Sequence, residues 1–297
     1  MLSATAPSRK LAIAALFLTA LIWSTGGIGF RLLETTNGLV ISGYRSFFAA
    51  LFYIVAFRTL PKMERGPHFK VAIVAYSFVT TLFVVSNTLT TAANAIVLQY
   101  TAPIFACLFL FFLFKKPLPK YDIIATVIIF VGIGIFFLDS LTLQVSASMT
   151  TGNIMAVASG AFFGLQAIVI GHARQPRNVF TFGNILNFFI ALPFILMTPL
   201  LPFSDLLIIL FLGIFQIGVS YLLFSYAVPR VTPLELLLIP AMEPILNPVW
   251  VFLFDGQTPS FLAMFGGVII IVTIVFWSVY KERRRSSSHN DKYDLKQ

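Results

Sequence analysis

The stretch Ala92–Phe114, AANAIVLQYTAPIFACLFLFFLF, runs for 23 residues without a charged side chain. An α-helix needs about 20 apolar residues to cross roughly 30 Å of hydrocarbon, so this stretch predicts a membrane-spanning helix. Pro103 lies inside it, and proline lacks an N–H and clashes with the carbonyl one turn earlier. We therefore expect a helix kink at Pro103. Lys115 and Lys116 follow directly and mark the end of the span.

The composition of the whole chain is that of a membrane protein. Of 297 residues, 58% are hydrophobic and only 10% are charged, whereas soluble domains carry roughly 25% charged residues. This excludes a soluble enzyme and a disordered protein. The apolar runs are continuous, which excludes the alternating pattern of an outer-membrane β-barrel. Cys107 is the single cysteine, so an intramolecular disulfide and a cysteine metal site are also excluded.

Ten membrane-spanning helices are predicted, joined by short connections. The apolar run after Arg9 and Lys10 is too long for the core of a signal peptide, so we interpret it as a retained first helix. The ten spans are Leu11–Phe30, Val40–Leu60, Val71–Leu89, Ala92–Phe114, Ile123–Leu138, Ile154–Gly171, Phe180–Leu200, Leu206–Ala227, Pro233–Phe254 and Phe261–Tyr280.

The basic residues alternate with these spans. If the N-terminus is cytoplasmic, 18 of the 20 lysine and arginine residues fall in cytoplasmic segments. The outer loops near Thr91, Gln144, Pro202 and Gln257 contain none. Cytoplasmic loops of membrane proteins are enriched in lysine and arginine. The pattern predicts a multi-pass protein of the cytoplasmic (inner) membrane with both termini in the cytoplasm.

The chain also contains an internal duplication. VLQYTAP at residues 97–103 corresponds to LIPAMEP at residues 238–244, so that Pro103 pairs with Pro244. Each copy has five spans, and an odd-numbered unit must insert upside down the second time. We predict an all-α integral membrane fold of ten transmembrane helices in two inverted five-helix repeats. The repeats cover residues 1–140 and 150–280, and a basic cytoplasmic tail covers 281–297.

Several short motifs along these spans belong to a known pattern. They are IWST at residues 22–25, YR at 44–45, APIF at 102–105, EPI at 243–245 and FLFD at 252–255. With these motifs, the chain resembles the EamA-type family of the drug/metabolite transporter superfamily. The resemblance implies a carrier of small metabolites, commonly an exporter, with a central cavity between the repeats. The family often has an acidic residue after the fourth span, where this chain has Lys115 and Lys116; we assign Asp255 no transport role.

Glu243 is the most informative candidate for a functional site. It lies about 15 Å along the ninth span, near the membrane midplane. A charge there costs on the order of 3 kcal/mol, so the side chain must face a cavity, pair with a cation or carry a proton. Asn247, one turn later, shares its face. The alternative is a structural carboxyl group that bonds a neighbouring helix.

Pro240, Pro244 and Pro248 are spaced by one helical turn around Glu243, so we expect a kinked helix with free carbonyl groups. Such backbone is tolerated at membrane depth only where protein or water satisfies it.

Arg45 lies about one and a half turns inside the second span. Its planar guanidinium is suited to clamp a substrate carboxylate. The alternatives are an ion pair with Glu243, a strut between helices, or a side chain that snorkels to the membrane surface. Trp23, Gln99 and Tyr100 are further cavity candidates, although a Trp at this depth is often packing.

Catalysis and cofactor binding find no support in the sequence. Nucleophile-elbow, Walker and HExxH motifs are absent, and His68, His172 and His289 lack ligand spacing for a metal. We therefore predict a secondary carrier, not an enzyme, that needs no cofactor, binds no nucleic acid and moves small organic metabolites such as amino acids. Protons are a candidate coupling ion. A small-cation drug exporter and a non-transporting membrane protein remain the alternatives.

Overall fold

The computed structural model describes residues 9–35, 37–136, 146–246, 250, 253 and 261–294. Within these ranges the chain is helical between its turns and contains no strand. The helices are α1 (Arg9–Ser24), α2 (Gly26–Arg31), α3 (Gly38–Phe57), α4 (Pro67–Leu89), α5 (Ala92–Gln99), α6 (Ala102–Phe112), α7 (Lys120–Phe136), α8 (Ala147–Val169), α9 (Pro176–Met197), α10 (Phe203–Phe211), α11 (Ser220–Ala227), α12 (Pro233–Leu238) and α13 (Phe261–Asp294).

The predicted all-helical membrane fold is confirmed, but the number of ten spans stays a prediction. In the described residues, eight helical stretches are long and apolar enough to cross a membrane. The predicted fifth span corresponds to α7, which has only 17 residues. The ninth span is described from α12 to residue 246 and at residues 250 and 253. Its other residues, among them Asn247 and Pro248, lie outside the described residues, as does Asp255. The loop positions Gln144 and Gln257 also lie outside them.

The helix pairs that join the two halves of the chain are symmetric between the halves. The second span of the first half, α3, packs on the second span of the other half, α9. The first span of each half packs on the third span of the other: α1 lies on α11, and α4 lies on α8. The fifth helix of the first half, α7, packs on α13. These pairings stay the same when the halves are exchanged, as expected for a duplicated chain.

The fourth and ninth spans begin alike, and each is interrupted before its middle. Thr91 caps the start of α5 by accepting a hydrogen bond from the backbone N–H of Asn94 at 3.2 Å. Thr232 caps α12 in the same way and forms a capping box with Glu235. The fourth span breaks between α5 and α6, just before Pro103, and α12 passes into a 3₁₀ turn over Pro240–Met242. Both breaks interrupt the α-helical hydrogen-bond pattern inside the bundle.

Close approach of α8 to the fourth span depends on glycine. A Cβ added at Gly164 would lie 2.7 Å from the carbonyl oxygen of Ala102 and 2.9 Å from the backbone nitrogen of Ala106. One turn earlier, a Cβ at Gly160 would lie 2.7 Å from the carbonyl oxygen of Gln99. Small residues of this kind let membrane helices approach until their backbones touch. The two glycines therefore fix α8 against the break in the fourth span.

Gly164→Ala should destabilise the protein by roughly 1–3 kcal/mol, because the new methyl group meets backbone atoms that cannot rotate away. Gly134→Ala is the matched control, since a Cβ there would meet nothing within 4 Å. Thermal unfolding in detergent should show a lower midpoint for Gly164→Ala and an unchanged or slightly higher one for Gly134→Ala. Equal midpoints for the two variants would show that α8 has room to move.

Candidate functional site

A small cavity lies in the centre of the bundle, lined by residues from both halves. Its volume is about 40 Å³, and its lining consists of Trp23, Arg45, Val79, Thr80, Phe83, Gln99, Phe163, Gln216, Ile217, Tyr221 and Glu243. The structure thus brings together four of the residues proposed from sequence. Tyr100 is not in the lining, and Asn247 lies outside the described residues.

Arg45 is turned into the bundle and does not snorkel to the surface, since it is only 4% exposed. Its Nη2 donates a hydrogen bond to Gln216 Oε1 at 2.8 Å. The guanidinium carbon lies 5.0 Å from the centroid of the Phe30 ring, in cation–π range. Among the described residues, Nε and Nη1 find no hydrogen-bond partner. The Nε and Nη1 groups of Arg45 are therefore unpaired hydrogen-bond donors at the cavity.

Gln216 holds Arg45 from an unusual stretch of backbone. It lies in the π-helical segment Leu212–Val219, between α10 and α11, and such segments often occur at functional sites. Its Nε2 donates to the carbonyl of Trp23 at 3.2 Å. A Cβ at Gly26 would lie 1.6 Å from this Nε2 atom, so only glycine leaves room for it. The sequence alone does not distinguish Gln216 from the other polar residues inside the apolar runs.

Two further lining residues, Trp23 and Gln99, each donate a hydrogen bond to a serine. Trp23 Nε1 donates to Ser220 Oγ at 2.8 Å. The Trp23 ring lies 5.1 Å from the Tyr221 ring and 6.0 Å from the Phe163 ring, measured between centroids. Gln99 Nε2 donates to Ser159 Oγ at 2.8 Å. These bonds fix the orientation of the Trp23 and Gln99 side chains at the cavity.

Glu243 meets Tyr100 and the broken backbone of the ninth span. The Tyr100 hydroxyl lies 2.9 Å from Glu243 Oε2 and 2.6 Å from the carbonyl oxygen of Pro240. In a regular helix that carbonyl would accept the N–H of residue 244, but Pro244 has none. The Tyr100 hydroxyl therefore compensates for the missing backbone donor while it contacts the carboxyl group.

Arg45 and Glu243 thus face one cavity without bonding to each other. Among the described residues they form no ion pair, and Arg45 bonds the neutral amide of Gln216 instead. Of the alternatives predicted for Arg45, this conformation contains the strut between helices and not the pair with Glu243. Both side chains line the cavity.

The other buried acidic groups have partners away from the cavity. Glu235, which the helical periodicity places on the same stripe as Glu243, forms an ion pair with Arg9. Asp122 accepts hydrogen bonds from Lys281 Nζ at 3.2 Å and from Trp277 Nε1 at 2.9 Å. Within the part of the chain that the structure describes, no cluster of three His, Cys, Asp or Glu side chains could hold a metal ion.

Comparison with known proteins supports the duplicated fold. Residues 10–138 and 150–279 each match the model of the EamA-like transporter family. No curated protein matches the chain. A solved structure titled "Crystal structure of protein" has a TM-score of 0.76 and 17% sequence identity, and the match covers 92% of this chain and 100% of that one. At that identity, the likeness shows a shared fold.

Proposed function

We propose that this chain, which belongs to the EamA-like transporter family, is a secondary carrier that exports small organic metabolites such as amino acids. The observation that carries this proposal is the joint presence of Arg45 and Glu243 in the lining of one central cavity, with two guanidinium N–H donors of Arg45 unpaired among the described residues. Membrane-embedded charges that face a cavity commonly mark a substrate path.

The chemistry of the cavity favours a zwitterionic substrate. The free Nε and Nη1 donors of Arg45 suit a carboxylate, which accepts several charge-assisted hydrogen bonds. Glu243 suits an ammonium group on the same molecule. The rings of Trp23 and Tyr221 offer a surface for the apolar part of the substrate. An amino acid combines these three features.

The size of the cavity supports alternating access. Its volume of about 40 Å³ is far below the roughly 300–1,000 Å³ of typical ligand sites. The cavity of the described conformation is thus too small for an amino acid, and the helices must part before such a substrate can bind. We take the units that move to be the repeats 1–140 and 150–280, with the tail 281–297 and both termini in the cytoplasm. Rocking of such repeats around a fixed site is a recurring transport mechanism.

The hydrogen-bond network around Glu243 supports protons as the coupling ion. The Tyr100 hydroxyl has one hydrogen but two acceptors within reach, Glu243 Oε2 and the Pro240 carbonyl. When Glu243 is ionised, the Tyr100 hydroxyl donates its hydrogen bond to the carboxylate. A protonated Glu243 can donate to the Tyr100 oxygen, and the hydroxyl can then donate to Pro240. The network therefore accommodates both protonation states without moving a helix.

The export of small organic cations is the second candidate function. A buried carboxylate beside the rings of Trp23, Phe163 and Tyr221 is a setting that binds organic cations. Arg45 in the same lining argues against it, because a ligand that carries only positive charge would be repelled. The zwitterion is consequently the better match.

A metabolite-uptake screen with purified protein in proteoliposomes tests the proposal. We expect uptake of at least one zwitterionic amino acid above that of protein-free liposomes, with greater accumulation when a pH gradient is imposed. Decarboxylated amines of the same size should be poor substrates. Uptake of the amines alone would favour the cation exporter, and no uptake from the whole panel would contradict the amino acid assignment.

A further inference from the structure

The loop between α3 and α4 forms hydrogen bonds with the loop between α8 and α9, which belongs to the other half of the chain. Glu64 Oε2 accepts the backbone N–H of Arg174 at 3.0 Å, and Glu64 Oε1 accepts that of Gln175 at 3.0 Å. Nearby, Asn178 Nδ2 donates to the carbonyl of Lys62 at 3.2 Å. One carboxylate thus binds two successive backbone groups on the partner loop.

The same arrangement occurs at the other end of the bundle. Asp205, in the first turn of α10, accepts the backbone N–H of Glu34 at 3.2 Å through Oδ1. Its Oδ2 accepts the backbone N–H of Thr35 at 2.9 Å. Glu34 and Thr35 lie in the connection between α2 and α3. Again one carboxylate of one half binds two successive N–H groups of the other half.

The two carboxylates occupy equivalent places in the duplicated chain. Glu64 follows the second span of the first half, and Asp205 follows the second span of the other half. Each binds the loop that precedes the second span of the opposite half. The Asp205 contact lies where α3 begins and the Glu64 contact where α3 ends, and a 20-residue helix separates its ends by about 30 Å. The contacts therefore lie on opposite sides of the central cavity.

We infer that Glu64 and Asp205 are paired gating residues, each of which keeps one side of the central cavity closed. This inference rests on the proposed alternating-access function. When two halves rock apart on one side, loops from different halves must separate there. Both contacts are formed in the described conformation, in which the cavity has a volume of only about 40 Å³. Opening toward one side breaks the contact on that side and keeps the other.

Removal of one gate should shift the conformational equilibrium toward opening on its own side. Glu64→Gln or Asp205→Asn replaces one acceptor oxygen by an amide nitrogen, which faces a backbone N–H and cannot accept it. We expect a shift of roughly three- to tenfold for the half-buried Glu64 and a larger one for the buried Asp205, because a charge-assisted hydrogen bond is lost in each case. The double variant should return toward the balance of the wild type. Glu64→Asp and Asp205→Glu keep both oxygens and should stay near it.

Labelling of a reporter cysteine measures this shift. Val79→Cys places a thiol in the cavity lining, and Cys107→Ser removes the native thiol. A membrane-impermeant maleimide is added to vesicles of either orientation, and the ratio of the two labelling rates is recorded. Glu64→Gln should raise labelling from the Glu64 side, and Asp205→Asn should raise it from the Asp205 side. Lys70→Gln and Lys116→Gln are controls that remove an exposed charge outside both contacts, and they should leave the ratio unaltered.

The outcomes separate this inference from the proposed function. If the wild type is labelled from both sides and both single variants have the same ratio of labelling rates as the wild type, the gating assignment is overturned while alternating access stands. Labelling from one side only, in the wild type and all variants, would overturn alternating access and the gates with it. A thermal unfolding midpoint measured for each variant shows whether it has kept its fold. Glu64→Ala or Asp205→Ala, which removes both acceptor oxygens, replaces any amide variant that has not.

Discussion

Arg45→Gln should weaken binding of carboxylate-bearing substrates by roughly ten- to a hundredfold, since hydrogen bonds to a charged group are lost. Arg45→Lys should recover only part of this loss, because a compact ammonium lacks the planar guanidinium fork. An amine analogue without the carboxylate should bind the wild type and both variants with similar affinity. Competition between an amino acid and its decarboxylated analogue, in reconstituted protein, measures this difference.

Arg177→Gln is the control for the Arg45 variants. The Arg177 guanidinium carbon lies 3.7 Å from the Phe57 ring centroid, and the residue does not line the cavity. Its variant should retain the wild-type preference for carboxylates. If Arg45 acts only as a strut to Gln216, its variants will have lower thermal stability but an unchanged ratio of amino acid to amine affinity. That result would contradict the carboxylate clamp.

Glu243→Gln should abolish accumulation driven by a pH gradient while substrate exchange continues. The amide keeps the shape of the side chain and can still accept a hydrogen bond from Tyr100, but it cannot gain or lose the proton. Accumulation against a gradient needs that step, whereas exchange of one substrate molecule for another does not. The expected result is at least a tenfold fall in gradient-driven accumulation, measured beside an exchange rate close to that of the wild type.

Lys116→Gln is the control for Glu243, because it removes an exposed charge outside the cavity and outside both loop contacts. It should accumulate substrate as the wild type does. If Glu243→Gln shows the same pH-dependent accumulation at equal protein levels, Glu243 does not couple protons. A loss of both exchange and accumulation with intact folding would instead assign it to substrate binding.

Much of the bundle could be predicted from sequence because each signal is local. Apolar length and basic flanks mark the spans, and the spacing of Pro103 and Pro244 reveals the duplication. The prolines also indicate interrupted helices, and the structure has such breaks beside Pro103 and at Pro240. The burial of Glu243 follows from its distance along the ninth span. Each of these inferences needs only the residues within one helix.

Contacts between distant helices were not predictable in the same way. No pattern in the sequence joins Arg45 to Gln216, because the contact depends on the π-helical segment and on the missing side chain at Gly26. A regular helix would place Glu235 on the same face as Glu243, about two turns away. The 3₁₀ turn breaks this periodicity, and Glu235 forms an ion pair with Arg9. Bonds from a side chain to the backbone of a remote loop leave no signature in sequence.

Glu64 and Asp205 illustrate this last case. From sequence, each lies between two predicted spans, where a carboxylate is expected to be solvated. A search for acidic residues after the second span of each repeat finds both residues, but it does not reveal the loops that they bind.

Counterflow of a labelled amino acid tests the proposed carrier most directly. Proteoliposomes are loaded with unlabelled amino acid, and uptake of the labelled compound is compared with that of empty vesicles. A cavity that opens alternately to each side should give faster labelled uptake into loaded vesicles, and Arg45→Gln should remove this acceleration. Uptake that is independent of the internal amino acid, for every zwitterion tested, would contradict alternating access around the Arg45 and Glu243 cavity.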